Sequence, residues 1–187
     1  MVARCRWAAN YEEGTPMVTY HDHEFGHPVR DDERLLFELL TLELFQSGLS
    51  WRTVLNKRAN FKAAFADFDI HQVAHFDQQD VERLLSDAGI IRNRMKIEAT
   101  INNAQQIQTL HHQGETFSDL VWQPTNGQTL DIGVDQDEKI ASQNTLSETF
   151  SKQLKKIGFK FVGPVTVESF LQAVGVENAH DLECDFR

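Results

Sequence analysis

The stretch from residue 31 to residue 46 constrains the fold most, because it is apolar on nearly every side of a helix. Its hydrophobic residues recur at spacings of three, four and seven, and the positions between them are also apolar. An aspartate pair precedes it and Gly48 follows it, as expected at the two ends of a helix. The stretch therefore predicts a helix against which other helices pack. The apolar side chains are Leu35, Leu36, Phe37, Leu39, Leu40, Leu42, Leu44 and Phe45.

One carboxylate interrupts this apolar surface. Glu43 lies three, four and seven residues after Leu40, Leu39 and Leu36, so its side chain projects from the same face. An unpaired buried carboxylate is costly. Glu43 therefore meets an arginine from a neighbouring helix, is protonated, or awaits a ligand that supplies positive charge. Glu38, four residues after Arg34, fits an ordinary surface pair.

Composition narrows the class of protein. The 187 residues are 41% hydrophobic, enough for one domain with its own core. No apolar run of about 20 residues is present to span a membrane. The first residues lack the apolar stretch of a signal peptide, so we expect a cytoplasmic protein. A net charge of −10 argues mildly against a nucleic-acid partner. Three basic clusters weaken that argument, at residues 52–62, 92–96 and 152–160.

Helical periodicity dominates the rest of the chain, and no internal repeat is present. Residues 123–147 are rich in glycine, proline and polar residues, which predicts a long surface loop within a single domain spanning residues 1–187. The predicted helices cover residues 31–46, 51–66, 78–87, 91–112, 115–122, 147–157 and 164–174.

A short glycine-containing turn separates two of these helices, at residues 87–97. Most such turns are plain helical hairpins. Here Arg92, Arg94 and Lys96 follow Gly89 directly, and the backbone amides lie close to a helix N-terminus. Such amides can bind a DNA phosphate. The spacing favours this reading without excluding the plain hairpin.

Two cysteines stand near opposite ends of the chain. Cys184 lies four residues after His180, one helical turn, so both side chains can reach one metal ion. A disulfide with Cys5 is the competing possibility, but a chain without a secretion signal is a poor setting for one. The spacing favours zinc bound by two cysteines and two histidines. It leaves the second histidine open among His21, His23 and His27.

Several motifs, spread in order over nearly the whole chain, resemble those of the type I 3-methyladenine DNA glycosylases. The resemblance is specific because it depends on no single short pattern. The motifs are Cys5-Arg-Trp7, Tyr20-His21-Asp22 with Glu24-Phe25-Gly26, Leu42-Glu43 with Gln46-x-Gly48-Leu49-Ser50-Trp51, Gly89-Ile90-Ile91-Arg92, Gly158-Phe159-Lys160-Phe161-Val162-Gly163 and His180-x-x-x-Cys184.

The resemblance implies an all-α fold of the helix-hairpin-helix glycosylase superfamily, with one structural zinc joining the N- and C-terminal segments. It implies a base pocket in which Glu43 and Tyr20 hydrogen-bond the base and Trp51 stacks on it, with Trp7 and Phe25 as further walls. Phe25 stands where a tryptophan is frequent, and other departures from the family fall on Met17, Leu44 and Phe45. The zinc ligands implied by the resemblance are Cys5, His21, His180 and Cys184.

The resemblance also implies double-stranded alkylated DNA as substrate and a monomeric enzyme. An adenine methylated at N3 carries positive charge, so a flipped cationic base would satisfy Glu43. Gly48 and Leu49 would fill the gap left by that base, with Leu49 as the wedge. Backbone contacts fall on Gly89, Ile91, Arg92 and Lys160. A lyase-type hairpin motif is absent from the sequence, so we expect a monofunctional enzyme that leaves an abasic site.

Two other functions remain as alternatives. A DNA-damage-binding protein would keep the pocket without turnover. A zinc metallohydrolase built on the histidine-rich stretch 20–27 would use Glu24 as general base and would need an open zinc position. Release of free 3-methyladenine separates the first alternative from the glycosylase.

Overall fold

The structure, a computed structural model, describes residues 2–135 and 141–187. Over these residues the chain is mainly helical, which confirms a helical fold, and one short pair of strands accompanies the helices. The helices are α1 Pro16–His23, α2 Glu33–Gln46, α3 Trp51–Leu55, α4 Arg58–Ala64, α5 Ile70–Ala74, α6 Gln78–Ser86, α7 Arg94–His112, α8 Phe117–Trp122, α9 Thr145–Ile157 and α10 Pro164–Ala173. No helix among the described residues is long and apolar enough to span a membrane.

Helix α2 forms the centre of the molecule. It contacts α3, α7, α8 and α10, and every residue from Leu36 to Phe45 is buried. Asp32 caps its first turn by accepting a hydrogen bond from the Leu35 N–H at 2.9 Å. A helix that is apolar nearly all round is stabilised most when neighbouring helices bury all of its sides. The helix predicted over residues 31–46 is therefore confirmed.

The predicted helix at residues 51–66 is wrong in one respect, because the structure divides it into α3 and α4. Lys57 lies between them with φ −104° and ψ 1°, outside helical values. Its ammonium group donates to the carbonyl oxygens of Ala88 and Gly89, at 3.2 and 3.1 Å. A contact with a distant segment thus accompanies the break, and the local sequence gives no sign of it.

Two helices were missed by the sequence analysis. Helix α1 places Pro16 at its first position, where a proline is tolerated, but its polar residues obscure any apolar periodicity. Helix α5 has only five residues. Periodicity needs more turns than either helix offers.

Part of the predicted surface loop 123–147 is ordered by pairing with the C-terminal segment. Strand β1, Leu130–Asp131, runs parallel to β2, Glu177–Asn178. A further bridge joins Val134 to Asp181. These contacts hold the segment that carries His180 against the body of the protein.

Glu38 corrects a prediction from the sequence. It is buried rather than exposed, and its partner is not Arg34, which pairs instead with Asp67. The Glu38 carboxylate accepts from Arg58 Nε at 2.6 Å and lies 3.5 Å from Lys62 Nζ. Spacing along α2 suggested the i,i+4 pair, but tertiary packing supplied nearer cations from α4.

Candidate base pocket and metal centre

A small cavity of about 150 Å³ opens beside the end of α2. The four aromatic residues predicted as its walls all line it, and Glu43 lies among them. Its lining also includes three residues that the sequence analysis missed. The lining residues are Trp7, Tyr20, Phe25, Glu43, Gln46, Trp51, Ser169 and Gln172.

The aromatic rings of the pocket contact one another edge to face or tilted. The Tyr20 and Trp51 ring centroids lie 5.1 Å apart, and those of Trp7 and Phe25 lie 5.2 Å apart. Edge-to-face contacts at these distances are favourable and fix ring orientation. The rings therefore form a preformed apolar wall that could take a flat, planar ligand.

Glu43 is the unusual group of this pocket. The alternative of an arginine partner is wrong, because one carboxyl oxygen, Oε2, has no hydrogen-bond partner within the described structure. Burial raises the pKa of Glu43 to about 8. The carboxyl group is thus mainly protonated at neutral pH, and a cation in the pocket would favour its charged form.

Two neighbours add polar character to the apolar wall. Burial, and then the nearby Glu43 charge, raise the pKa of Tyr20 well above its ordinary value. Its hydroxyl group therefore stays protonated. The Trp51 indole N–H is buried without a partner among the described residues. The pocket thus holds an unsatisfied acceptor and an unsatisfied donor, both costly unless a ligand pairs with them.

The missed lining residues come mostly from α10. Ser169 and Gln172 are three positions apart and share a face of that helix. The Gln172 amide donates to Glu168 Oε1 at 2.9 Å, which fixes its orientation. Two polar residues at this spacing, on a helix that also carries Val167, Phe170 and Leu171, were the available signal. Met17, Leu44 and Phe45 pack in the core rather than lining the cavity.

The four predicted zinc ligands are buried, and their donor atoms all lie within 4.8 Å of one another. His180 Nδ1 lies 3.2 Å from Cys5 Sγ and 3.4 Å from Cys184 Sγ, and His21 Nε2 lies 3.6 Å from Cys184 Sγ. A tetrahedral zinc ion with ordinary bond lengths separates sulfur and nitrogen ligands by about 3.6 Å. The donor set and its spacing therefore fit a four-ligand metal site.

The groups around these donors also suit a metal. Asp22 Oδ1 lies 2.7 Å from His21 Nδ1 and is itself held by Arg4, while His180 Nε2 lies 2.9 Å from the Phe25 carbonyl oxygen. Such partners orient metal-binding imidazoles. Burial raises the pKa of Cys5 to about 12, a cost that a bound cation would reverse.

The metal centre and the pocket share a wall. The Trp7 ring packs edge-on against His21 at 5.1 Å, and the Phe25 ring packs against His180 at 5.0 Å. Gly26, with φ +74°, allows this approach, because a Cβ atom there would lie 3.0 Å from the His180 ring. The two histidines of the metal centre, when held in place, therefore also hold the Trp7 and Phe25 rings of the pocket.

The predicted DNA-contact residues lie at exposed turns. Leu49 is 43% exposed and follows Gly48, whose φ of +80° suits glycine. At the hairpin, the Gly89 N–H already donates to Asp87 Oδ1 at 2.7 Å, so it is not available to a phosphate. The amides of Ile91 and Arg92 have no hydrogen bond within the described part of the chain.

A larger groove of about 790 Å³ lies between α7, α8 and α9. Its ionisable residues are Glu115 and Asp119, and none of the buried unpaired side-chain atoms in the described part of the chain lies in it. Size alone does not identify a functional site, whereas unsatisfied buried groups do. The small aromatic pocket is therefore the better candidate.

Comparisons with known proteins agree with this geometry. Residues 7–187 match the model of a family described as methyladenine glycosylase. The chain is 44% identical over 181 residues to DNA-3-methyladenine glycosylase 1 of Escherichia coli (strain K12), covering 97% of this chain and 95% of that protein. A crystal structure of a 3-methyladenine DNA glycosylase I shares 43% identity, with a TM-score of 0.92 and coverage of 98% of each chain. A Staphylococcus aureus 3-methyladenine DNA glycosylase I, in a structure concerned with 3-methyladenine recognition, shares 36% identity with a TM-score of 0.91. That match covers 98% of this chain and 97% of the other.

Proposed function

Because this chain belongs to the methyladenine glycosylase family, we propose that it removes 3-methyladenine from alkylated double-stranded DNA. The reaction is hydrolysis of the bond between the sugar C1′ and N9 of the base. The bonding electrons leave with the cationic base, which becomes neutral 3-methyladenine. Water adds its oxygen to C1′ and loses a proton to solvent, and an abasic site remains.

One observation carries the proposal. A buried carboxyl group with an unsatisfied oxygen lies in a pocket walled by aromatic rings. A flipped cationic base would stack against those rings and supply the missing charge, whereas neutral adenine would not. The pocket is therefore complementary to a base that is both flat and positively charged.

Within the proposal, Glu43 recognises the base and stabilises positive charge as the glycosidic bond breaks. The Tyr20 hydroxyl group donates a hydrogen bond to the base, and the Trp51 ring stacks on it. Trp7 and Phe25 exclude water from the site. An already cationic base is a good leaving group. Selective binding of that base therefore supplies most of the discrimination against neutral adenine.

We further propose that Cys5, His21, His180 and Cys184 hold one zinc ion. Four protein ligands close the site, so its role is structural and it joins the two ends of the chain. The metallohydrolase alternative loses support, because the Glu24 carboxylate is held by Arg58 at 2.8 Å rather than free to act as a base.

For the DNA interface we propose that Gly48 and Leu49 enter the gap left by the flipped base. The hairpin between α6 and α7 binds the phosphate backbone through Ile91, Arg92 and the atoms next to them. Gly89 shapes the turn but donates no hydrogen bond to the phosphate. Lys160 binds a further phosphate. Membership of the helix-hairpin-helix superfamily, a monomeric state and a cytoplasmic location stay predictions of the sequence.

The test is release of free base from methylated duplex DNA, separated by chromatography against standards. Wild type should release 3-methyladenine, and Glu43→Gln should release at least tenfold less. Glu38→Gln is the matched control, because it changes a buried carboxylate on the same helix that is already paired with Arg58. Binding of alkylated DNA without any release by wild type would favour the damage-binding alternative.

A further inference from the structure

The loop between α9 and α10, residues 158–163, exposes an aromatic ring in an unfavourable backbone conformation. Phe161 is 37% exposed and has φ +55°, a region that residues with side chains rarely adopt. Single exposed apolar residues are ordinary, but an aromatic residue held in the left-handed region is not. Such strain persists only where surrounding contacts impose it.

Hydrogen bonds from two helices impose this conformation. The Asn103 side chain binds both backbone groups of Lys160, accepting from its N–H at 2.8 Å and donating to its carbonyl oxygen at 3.1 Å. The Ser151 hydroxyl group donates to the Val162 carbonyl oxygen at 2.6 Å. Both residues adjoining Phe161 are thus fixed from α7 and α9, so the ring is displayed by a rigid loop.

The position of this loop relates it to the pocket. Val165 lies four residues before Ser169 and seven before Gln172, so all three lie along one face of α10. Ser169 and Gln172 line the pocket, whereas Val165 is 50% exposed. A rise of 1.5 Å per residue places Val165 about 6 Å from Ser169 along the helix. Phe161 lies just before the start of the same helix.

The charge beside the ring indicates the partner. Lys160 is exposed, as are Lys152, Lys155 and Lys156 on α9. The lysine salt bridges within the described residues are those of Lys62, so none of the four has a carboxylate partner there. Four such cations within residues 152–160 of a chain of net charge −10 suit a polyanion. The exposed Phe161 ring directly follows Lys160, and an apolar ring suits the deoxyribose and base faces of nucleic acid rather than phosphate alone.

We propose that Phe161 and Val165 form an apolar ridge that packs against the DNA strand beside the flipped nucleotide, with Lys160 binding the adjacent phosphate. This inference rests on the proposed function and adds to it a second apolar contact, separate from the Leu49 wedge. The ridge begins at Val165, about 6 Å along α10 from Ser169, which lines the pocket. It holds the DNA without touching the base that is removed.

The test uses Phe161→Asn, because asparagine tolerates the left-handed region and the loop keeps its backbone. The dissociation constant is measured for a duplex carrying a tetrahydrofuran abasic-site analogue, and separately for free 3-methyladenine. The substitution should weaken duplex binding about five- to tenfold, through loss of buried apolar area. Binding of the free base and the melting temperature should not fall. Leu130→Asn, a residue of similar exposure at 39%, is the control and should leave duplex binding unchanged.

The salt dependence of duplex binding separates the contribution of the Phe161 ring from that of Lys160. Phe161→Asn should leave the slope of log K against log salt unchanged, whereas Lys160→Gln should reduce it by about one. Duplex binding by Phe161→Asn equal to wild type would overturn the inference, and so would an equal loss of free-base binding. If wild type neither releases base nor prefers the abasic duplex, the proposed function fails instead.

Discussion

Replacing Glu43 by glutamine should change how the stability of this protein depends on pH. The folded-state pKa of Glu43 is about 8, raised from 4.5 by burial. Because the folded value is the higher one, the stabilising contribution of the neutral group is complete below about pH 4.5. It is lost progressively as the pH rises to about 8. Glutamine stays neutral throughout and shows no such loss.

The size of the effect follows from these two values. The difference between the ordinary and the folded-state pKa of Glu43 corresponds to roughly 5 kcal/mol of unfolding free energy in total, at 1.36 kcal/mol per pKa unit. Between pH 6 and pH 9 the share that is lost is about 2 to 3 kcal/mol. Glu43 is fully buried, so solvent screening does not reduce it. Other titrating groups, including Glu177 with its pKa raised to about 7 mainly by burial, act equally in both proteins and cancel in the comparison.

The assay is urea unfolding at pH 6 and pH 9, followed by tryptophan fluorescence. Wild type should lose about 2 to 3 kcal/mol more than Glu43→Gln over this interval. Glu38→Gln serves as control, because it removes a carboxylate paired with Arg58 but keeps Glu43. Its free energy of unfolding should therefore fall between pH 6 and pH 9 by as much as that of wild type. Parallel losses in wild type and Glu43→Gln would refute the reasoning that burial leaves this carboxyl group unpaired.

Three further outcomes are expected. Cys184→Ser should reduce the bound metal, measured by elemental analysis, and lower the melting temperature more than it lowers the rate on the folded fraction, since a closed metal site contributes folding energy. Gly26→Ala should destabilise the protein more than Gly14→Ala in thermal melts. Both glycines have positive φ, but only a Cβ at residue 26 meets the His180 ring; equal melting temperatures would count against that contact. Lys96→Met should cost about 1 to 3 kcal/mol in urea unfolding, because the Lys96 ammonium group donates to two carbonyl oxygens at the end of α2. An unchanged unfolding midpoint would show that these bonds do not hold the turn.

The sequence was sufficient for features that local chemistry decides. Apolar residues around α2 predict a helix that is apolar nearly all round, because helical geometry fixes which side chains share a face. The spacing of His180 and Cys184 predicted that their side chains meet, and they do at 3.4 Å. The predicted helical turn is wrong, however, because a non-helical turn after β2 brings them together. The position of Glu43 on an apolar face predicts its burial, and the structure confirms it.

Only the tertiary structure decided which distant groups meet. Local spacing placed Glu38 beside Arg34, but packing of α4 brought Arg58 to it instead. The break between α3 and α4 accompanies the contacts that Lys57 makes with the hairpin. Ser169 and Gln172 line the pocket because α10 packs against α2, a contact between segments more than 100 residues apart in the sequence. Periodicity records which face of an element is apolar, whereas the neighbour that covers this face depends on how the whole chain packs.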